Sequence, residues 1–132
     1  MKNYVIMVYE MVKDIERIVA EAENDTTIIE YMASLDEEVA EEINEFDDLT
    51  MAAIKLAIGY GEVSRESVIY YNVYAIRRNI EKLAELISGD LNIQEYVIEH
   101  CVNYSEVIWD AFDNGDFKEA VGYILIEEII NA

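Results

Sequence analysis

Apolar residues recur at the spacing of an α-helix along nearly the whole chain. Over residues 3–23 they form one helical stripe, made of Tyr4, Met7, Val8, Met11, Ile15, Ile18, Val19 and Ala22. Proline is absent and glycine is sparse, so little in the sequence interrupts a helix. The pattern predicts an all-α protein.

Short polar breaks divide the rest of the chain into further helices. Residue pairs with the spacing of a capping box precede four of them: Thr27 with Glu30, Ser34 with Glu37, Asn92 with Glu95, and Asp116 with Glu119. The shorter helices are predicted over residues 27–32, 36–48, 50–58, 93–103, 105–112 and from 117 onward. Glycines after 50–58 and after 105–112 suit helix C-termini.

The longest predicted helix spans residues 65–88, between Ser64 and Gly89. Its first half is apolar on most sides, which is typical of a buried helix, so we expect it to form the central axis. Together these patterns predict a single domain over residues 1–132, built as a compact bundle of about six or seven helices.

The last predicted helix carries two apolar faces. One face has Phe117, Val121, Ile124 and Leu125, and the other has Tyr123, Ile126 and Ile130. A second apolar face needs a second partner, either within the fold or on another chain. Tyr123, Ile126 and Ile130 are therefore the candidate interface of a homodimer.

Eight of the thirteen residues from Asp36 to Asp48 are acidic and none is basic. The apolar residues of this stretch share one helical face, so the predicted helix belongs to the fold and turns its acids outward. No Lys or Arg lies between Arg17 and Lys55, which predicts an acidic face without compensating charge. Like charges four residues apart are slightly destabilising, so solubility alone is a poor explanation of this face.

The whole chain is strongly acidic: 9 Lys and Arg against 29 Asp and Glu give a net charge of −20. Such a charge steers cationic partners. It disfavours direct binding to nucleic acid or to an anionic membrane, because phosphate binding needs Lys and Arg. The single cysteine, Cys101, fits a reducing compartment, and no apolar run approaches a membrane span. We expect a cytoplasmic protein.

The sequence offers little for catalysis, metals or cofactors. His100 is the only histidine, and Val97 stands where a Glu-x-x-His pair of a di-iron site would need its glutamate. The stretch 110–116 resembles the start of a calcium-binding loop. Counted from Asp110, however, the third and twelfth positions of that loop would be Phe112 and Val121, which cannot supply carboxylates. His100 and Cys101 are adjacent and diverge by about 100° on a helix. We predict no catalytic residues, no metal, no cofactor and no enzyme activity.

The charge density of the acidic helix can be compared with that of DNA. Thirteen helical residues span about 20 Å, so eight carboxylates give roughly one per 2.4 Å, against one per ~1.7 Å of duplex axis. A second acidic group would raise the density if the fold brings it alongside. The predicted partner-binding residues are Glu37, Glu38, Glu41, Glu42, Glu45, Asp47 and Asp48, with Asp110, Asp113, Asp116 and Glu119 as the second group.

In size, charge and helicity the chain resembles the small acidic DNA-mimic proteins of phages and mobile elements, which include antirestriction and anti-CRISPR proteins. Locally, the stretch 116–123 with Glu127 and Glu128 is similar to part of the antirestriction ArdA family, although that family's N-terminal strands are not evident. The resemblance implies an inhibitor that blocks the basic nucleic-acid-binding surface of a restriction or CRISPR effector in a host cytoplasm.

Two other interpretations remain open. An immunity protein or antitoxin that neutralises a cognate nuclease toxin is also small and acidic, and ten tyrosines suit a tight protein interface. A structural or regulatory helical protein, acidic because of its cellular setting, is the third.

Overall fold

The computed structural model describes residues 1–131, which form eight helices and no strand. They are α1 (Lys2–Asn24), α2 (Thr26–Leu35), α3 (Glu37–Asn44), α4 (Leu49–Ala57), α5 (Tyr70–Ser88), α6 (Leu91–His100), α7 (Ser105–Asp113) and α8 (Phe117–Ile130). The all-α prediction is confirmed, with eight helices instead of six or seven. No helix in this part of the chain has both the length and the apolar character needed to cross a bilayer.

The chain divides into two compact units. The middle unit is Lys13–Arg77, and the terminal unit combines Met1–Val12 with the chain from Arg78 onward. Helices α1 and α5 contribute residues to both units. The prediction of one domain over residues 1–132 stays a prediction.

Each unit buries its own set of apolar side chains. In the middle unit these include Ile15, Ile18, Met32, Val39, Ile54, Leu56, Ile69, Val73 and Ile76. In the terminal unit they include Met11, Leu83, Ile87, Ile93, Val97, Ile108, Val121, Ile124 and Leu125. The predicted stripe of α1 is mostly buried, as expected for an amphipathic helix that packs against others.

The long helix begins at Tyr70, so the predicted start near residue 65 is wrong. Residues 64–70 instead form two successive turns, in which Ser67 N donates to Ser64 O and Tyr70 N donates to Ser67 O. The hydroxyl of Ser67 accepts from the backbone N of Ile69 at 3.3 Å. Serine side chains that bond nearby backbone N–H groups compete with helix formation. Val68, in these turns, is 54 % exposed. The first half of the predicted helix is therefore not buried on all sides.

Aspartates, and not the predicted Thr27, Ser34 and Asn92, form the N-caps of three helices. Asp25, Asp36 and Asp90 stand at the N-caps of α2, α3 and α6, and each accepts a hydrogen bond from the backbone N two residues later. Aspartate is as good an N-cap as serine and adds a favourable charge at the positive end of the helix dipole. Part of the chain's acidity therefore stabilises helix ends.

Arg77 ties the end of α4 to the loop that follows it. Its guanidinium donates to Leu56 O at 2.8 Å and Gly61 O at 2.6 Å, and it lies 4.8 Å from the ring centre of Tyr74. Gly61 has a φ of +97°, and a Cβ there would come within 3.0 Å of Leu35. The chain thus needs glycine where this loop passes α2. Because α3 packs against both α2 and α4, this arrangement supports the acidic helix.

Candidate acidic docking surface

The stretch Asp36–Asp48 folds as a short helix, a turn and a helix cap. Helix α3 ends at Asn44. Beyond it, Phe46 N donates to Glu41 O and Asp48 N donates to Glu42 O. Asp47 has a positive φ of 50°, a conformation that aspartate tolerates better than most residues. The prediction of one continuous helix over residues 36–48 is therefore wrong.

The break follows from the start of the next helix. The side chain of Asp48 accepts from the backbone N of Met51 at 2.8 Å, which makes Asp48 the N-cap of α4. An N-cap has a non-helical backbone, so the chain cannot continue α3 through this residue. Asp48, predicted to contact a partner, is thus engaged in capping.

Lys55 compensates two of the acids on α3. Its Nζ lies 2.9 Å from a carboxylate oxygen of Glu42 and 4.0 Å from one of Glu38. The hydrogen bond to Glu42 is the main reason why the pKa of Lys55 is raised. The carboxylate of Glu38 also raises the pKa of Tyr60, which lies beside it. The expectation of a wholly uncompensated acidic face is therefore wrong, because α4 brings a lysine to the side of α3.

Six acids of the stretch are exposed, and the side chains of four of them make no hydrogen bond or ion pair within residues 1–131. We call this set the α3 acidic surface: Glu37, Glu41, Glu45 and Asp47. Phe46, in the same turn, is 61 % exposed. Glu41 and Glu45 stand near the C-terminal end of α3, where negative charge is unfavourable to the helix dipole. The charge of Lys55 acts weakly on Glu41.

The second predicted acidic group lies in the terminal unit, around the turn from α7 to α8. Asp110 and Asp113 are on α7, Asp116 is the N-cap position of α8, and Glu119 is in its first turn; all four are exposed. Phe112 and Phe117 stack with ring centres 5.6 Å apart and fix this turn. The predicted alignment of this group with the α3 acidic surface stays a prediction.

The predicted dimer face on α8 is partly covered by the terminal unit itself. The ring of Tyr123 lies 5.6 Å from that of Tyr104, and Tyr123 and Ile126 are half-buried. Ile130 is 50 % exposed. A homodimer through this face stays a prediction, and the exposed apolar area available to it is mainly that of Ile130.

Glu127 is a buried acid that the sequence analysis named only within the ArdA-like stretch, without predicting its burial. It is 4 % exposed, and its Oε1 accepts from the backbone N of Val102, Asn103 and Tyr104 at 3.0, 2.7 and 2.9 Å. Its other oxygen accepts from Asn131. Successive backbone N–H groups form a concave anion site, and here the occupant is the protein's own carboxylate. Its position three residues after buried Ile124 was the available signal.

The contacts of His100 and the burial of Cys101 bear on whether either residue is reactive. His100 Nδ1 is 2.8 Å from Tyr96 O, and its ring stacks on that of Tyr96 at 4.0 Å. Burial raises the pKa of the Cys101 thiol to about 11, and the negative charge of Glu127 acts in the same direction. A thiol with a raised pKa is a poor nucleophile at neutral pH. Within residues 1–131 no group of three or more His, Cys, Asp or Glu could hold a metal ion.

Acidic residues are in excess in both units. Lys13–Arg77 has 16 acids and 5 bases, a charge of −11, and the rest of the chain has −9. No family model, no curated protein and no solved structure matches the chain. What the surface can do chemically is attract and pair with cationic groups.

Proposed function

We propose that this protein is an acidic inhibitor that docks on the basic nucleic-acid-binding surface of another protein, a nuclease of a host restriction or CRISPR system. The observation that carries the proposal is the α3 acidic surface, where four exposed carboxylates form no hydrogen bond or ion pair within residues 1–131. The net charge of the chain is −20. Lys and Arg side chains that bind phosphates would pair with these carboxylates instead. Electrostatic steering makes such an association fast and sensitive to salt.

The structure favours local docking over a copy of the DNA duplex. Along α3 and its C-cap, the exposed residues Glu37, Glu41 and Glu45 follow one another every four residues, or about every 6 Å along the axis. Duplex DNA has one charge per ~1.7 Å. The surface therefore matches a few phosphate-binding side chains, and wider mimicry would require acids beyond α3.

A second candidate is an immunity protein or antitoxin that neutralises a cognate nuclease toxin. The exposed ring of Phe46, between Glu45 and Asp47, favours it, because tight inhibitor interfaces combine an aromatic anchor with surrounding charges. The two candidates use the same surface and differ in the partner and in the role of Phe46.

Affinity capture followed by competition tests the main proposal. The protein is immobilised, host lysate is applied at low and at high salt, and each retained enzyme is purified for an activity assay. We expect a nuclease that is inhibited by the protein and displaced from it by duplex DNA. Retention of a nuclease that DNA does not displace would favour the second candidate. Retention of no basic protein at low salt would refute both.

Charge reversal locates the docking surface. Changing Glu37, Glu41 and Glu45 to Lys should weaken inhibition more than tenfold, because close charge pairs at interfaces are worth about 1.5 kcal/mol or more each. The matched control changes Glu21, Glu23 and Glu30 to Lys, three exposed acids of the same unit, with the same change in net charge. Equal loss in both variants would show that total charge matters and the α3 acidic surface does not.

A further inference from the structure

The only tryptophan of the chain is exposed at the rim of a hollow in the terminal unit. Trp109, on α7, is 54 % exposed. The hollow has a volume of about 330 Å³ and is lined by Ile98 of α6 and by Ser105, Glu106, Trp109 and Asp110 of α7. This volume is at the lower end of the range for small-ligand pockets, and it suits one side chain better than a whole cofactor.

The charge that lines this hollow is negative and comes from Glu106 and Asp110. Glu106 and Asp110 are four residues apart on α7, so their side chains are neighbours on one face of the helix. Both are exposed, and neither forms an ion pair with another residue of the described chain. Two like charges at this spacing are slightly destabilising, and a cation between them would remove that repulsion.

A second groove in the same unit provides a contrast. It is larger, about 620 Å³, and its acids include Glu81, Glu85, Asp116 and Glu119. That groove also contains Lys118, whose Nζ lies 3.4 Å from Glu81, and its aromatic residue Phe117 stacks on Phe112. In the larger groove Lys118 thus pairs with an acid and Phe117 stacks on another ring. Among the described residues, Glu106 and Asp110 form no ion pair and Trp109 stacks on no ring.

An exposed tryptophan beside two carboxylates can bind a cation. Tryptophan is the best aromatic partner for a cation placed over its face. Arginine fits such a site better than lysine, because its planar guanidinium stacks on aromatic rings and presents several N–H groups to carboxylates at once. We propose that Trp109, Glu106 and Asp110 bind one arginine side chain of the partner protein. This proposal rests on the proposed function in taking the partner to be a basic protein.

The site would add a contact of a different kind from the α3 acidic surface. The α3 carboxylates respond to any cation, while the Trp109 hollow distinguishes arginine from lysine through the ring. Asp110, which the sequence analysis placed in the second acidic group, would act in this site together with Trp109.

The test uses the single indole N–H resonance of Trp109 in a nitrogen-15 NMR spectrum of the full chain. The probes are two capped tripeptides, acetyl-Gly-Arg-Gly-amide and acetyl-Gly-Lys-Gly-amide. We expect the arginine peptide to shift the resonance saturably and to bind about two- to fivefold more tightly than the lysine peptide. This ratio corresponds to a difference of about 0.4–1 kcal/mol in binding free energy. The double variant Glu106→Gln/Asp110→Asn should weaken binding of the arginine peptide severalfold.

The control is the variant Glu37→Gln/Glu41→Gln, which removes the same number of charges from the α3 acidic surface and should leave binding at Trp109 unchanged. Equal affinity for the two peptides, no saturable shift, or equal losses in both double variants would overturn the proposal. The readout needs no nuclease, so it separates this proposal from the proposed function. A site that passes, in a protein that inhibits no nuclease, would refute only the function.

Discussion

Glu127 and the α3 acidic surface show two opposite uses of the same functional group. Glu127 is almost wholly buried, and one of its oxygens accepts three backbone N–H bonds. Glu41 and Glu45 are exposed and form no side-chain hydrogen bond or ion pair within residues 1–131. A buried carboxylate is retained only where donors compensate its desolvation, whereas an exposed carboxylate needs no such donors because water solvates it. The net charge of this chain therefore includes carboxylates that stabilise the fold and carboxylates that are simply exposed.

Removing the carboxylate of Glu127 should have the largest effect on stability. Glu127→Ala leaves three backbone N–H groups without their acceptor, and we expect a loss of about 3 kcal/mol or more. Glu127→Gln keeps an acceptor oxygen but loses the charge, so a loss of about 1–2 kcal/mol is expected. Urea denaturation followed by circular dichroism measures both.

The neighbouring Glu128 is the control for that prediction, because it is exposed and makes no side-chain hydrogen bond in the described chain. Glu128→Gln should change the free energy of unfolding by no more than about 0.5 kcal/mol. Similar losses for Glu127→Gln and Glu128→Gln would mean that Glu127 does not hold residues 102–104.

Asp14 should rank second, since it is buried but has fewer donors than Glu127. It is 7 % exposed and accepts from Asn72 Nδ2 at 2.8 Å and from Arg17 at 3.3 Å. Asp14→Ala should cost about 1–3 kcal/mol, because it leaves the amide of Asn72 without an acceptor. In a double-mutant cycle with Asn72→Ala, a coupling near zero would contradict this assignment.

Replacing Lys55 should have a smaller effect that disappears at high pH. Lys55→Met removes the ion pairs to Glu42 and Glu38, and we expect a loss of less than about 1 kcal/mol at neutral pH. The pKa of Lys55 is raised in the folded protein, so the pair's contribution is complete below the unfolded-state pKa of about 10.4 and is lost as the pH rises through the folded value. A difference between wild type and variant that persists well above that value would exclude the ion pair as its cause.

Glu45→Lys should show the smallest effect, with the opposite sign. It removes a like-charge pair with Glu41 and places a cation at the C-terminal end of α3, which should stabilise the protein by a few tenths of a kcal/mol. The same change should weaken the proposed docking. Thermal unfolding measures the expected gain in stability, and the inhibition assay measures the expected loss of docking. A destabilised variant would indicate a structural contact of Glu45.

The helical architecture was predictable because hydrophobic periodicity carries it. Helix α1 and the end of α5 at Ser88 follow directly from the pattern. The start of α5 was not predictable, because Ser64 and Ser67 form local turns that an apolar pattern does not reveal. The caps were misplaced because the patterns weighed Ser, Thr and Asn above the neighbouring aspartates. Asp25 and Asp90 lie two residues before the predicted caps Thr27 and Asn92, and Asp36 lies two residues after Ser34.

The candidate site depends on contacts between residues distant in sequence. Lys55 meets Glu42 because α4 folds back beside α3, and the sequence shows only that the two are thirteen residues apart. The end of α3 depends on Asp47, which forms a turn, and on Asp48, which caps α4. In the sequence these two residues cannot be distinguished from acids that are simply exposed. Trp109 was missed because its exposure depends on which face of α7 is buried.

The hydrogen bonds of Glu127 also bear on how the chain folds. They join α8 to a segment 23–25 residues earlier, so they close a loop that contains the whole of α7. Closing such a loop costs chain entropy before the bonds form, and contacts of this kind form late when little else holds the ends together. In native-state hydrogen exchange, the amides of Val102, Asn103 and Tyr104 should therefore open together with α8, as one cooperative element.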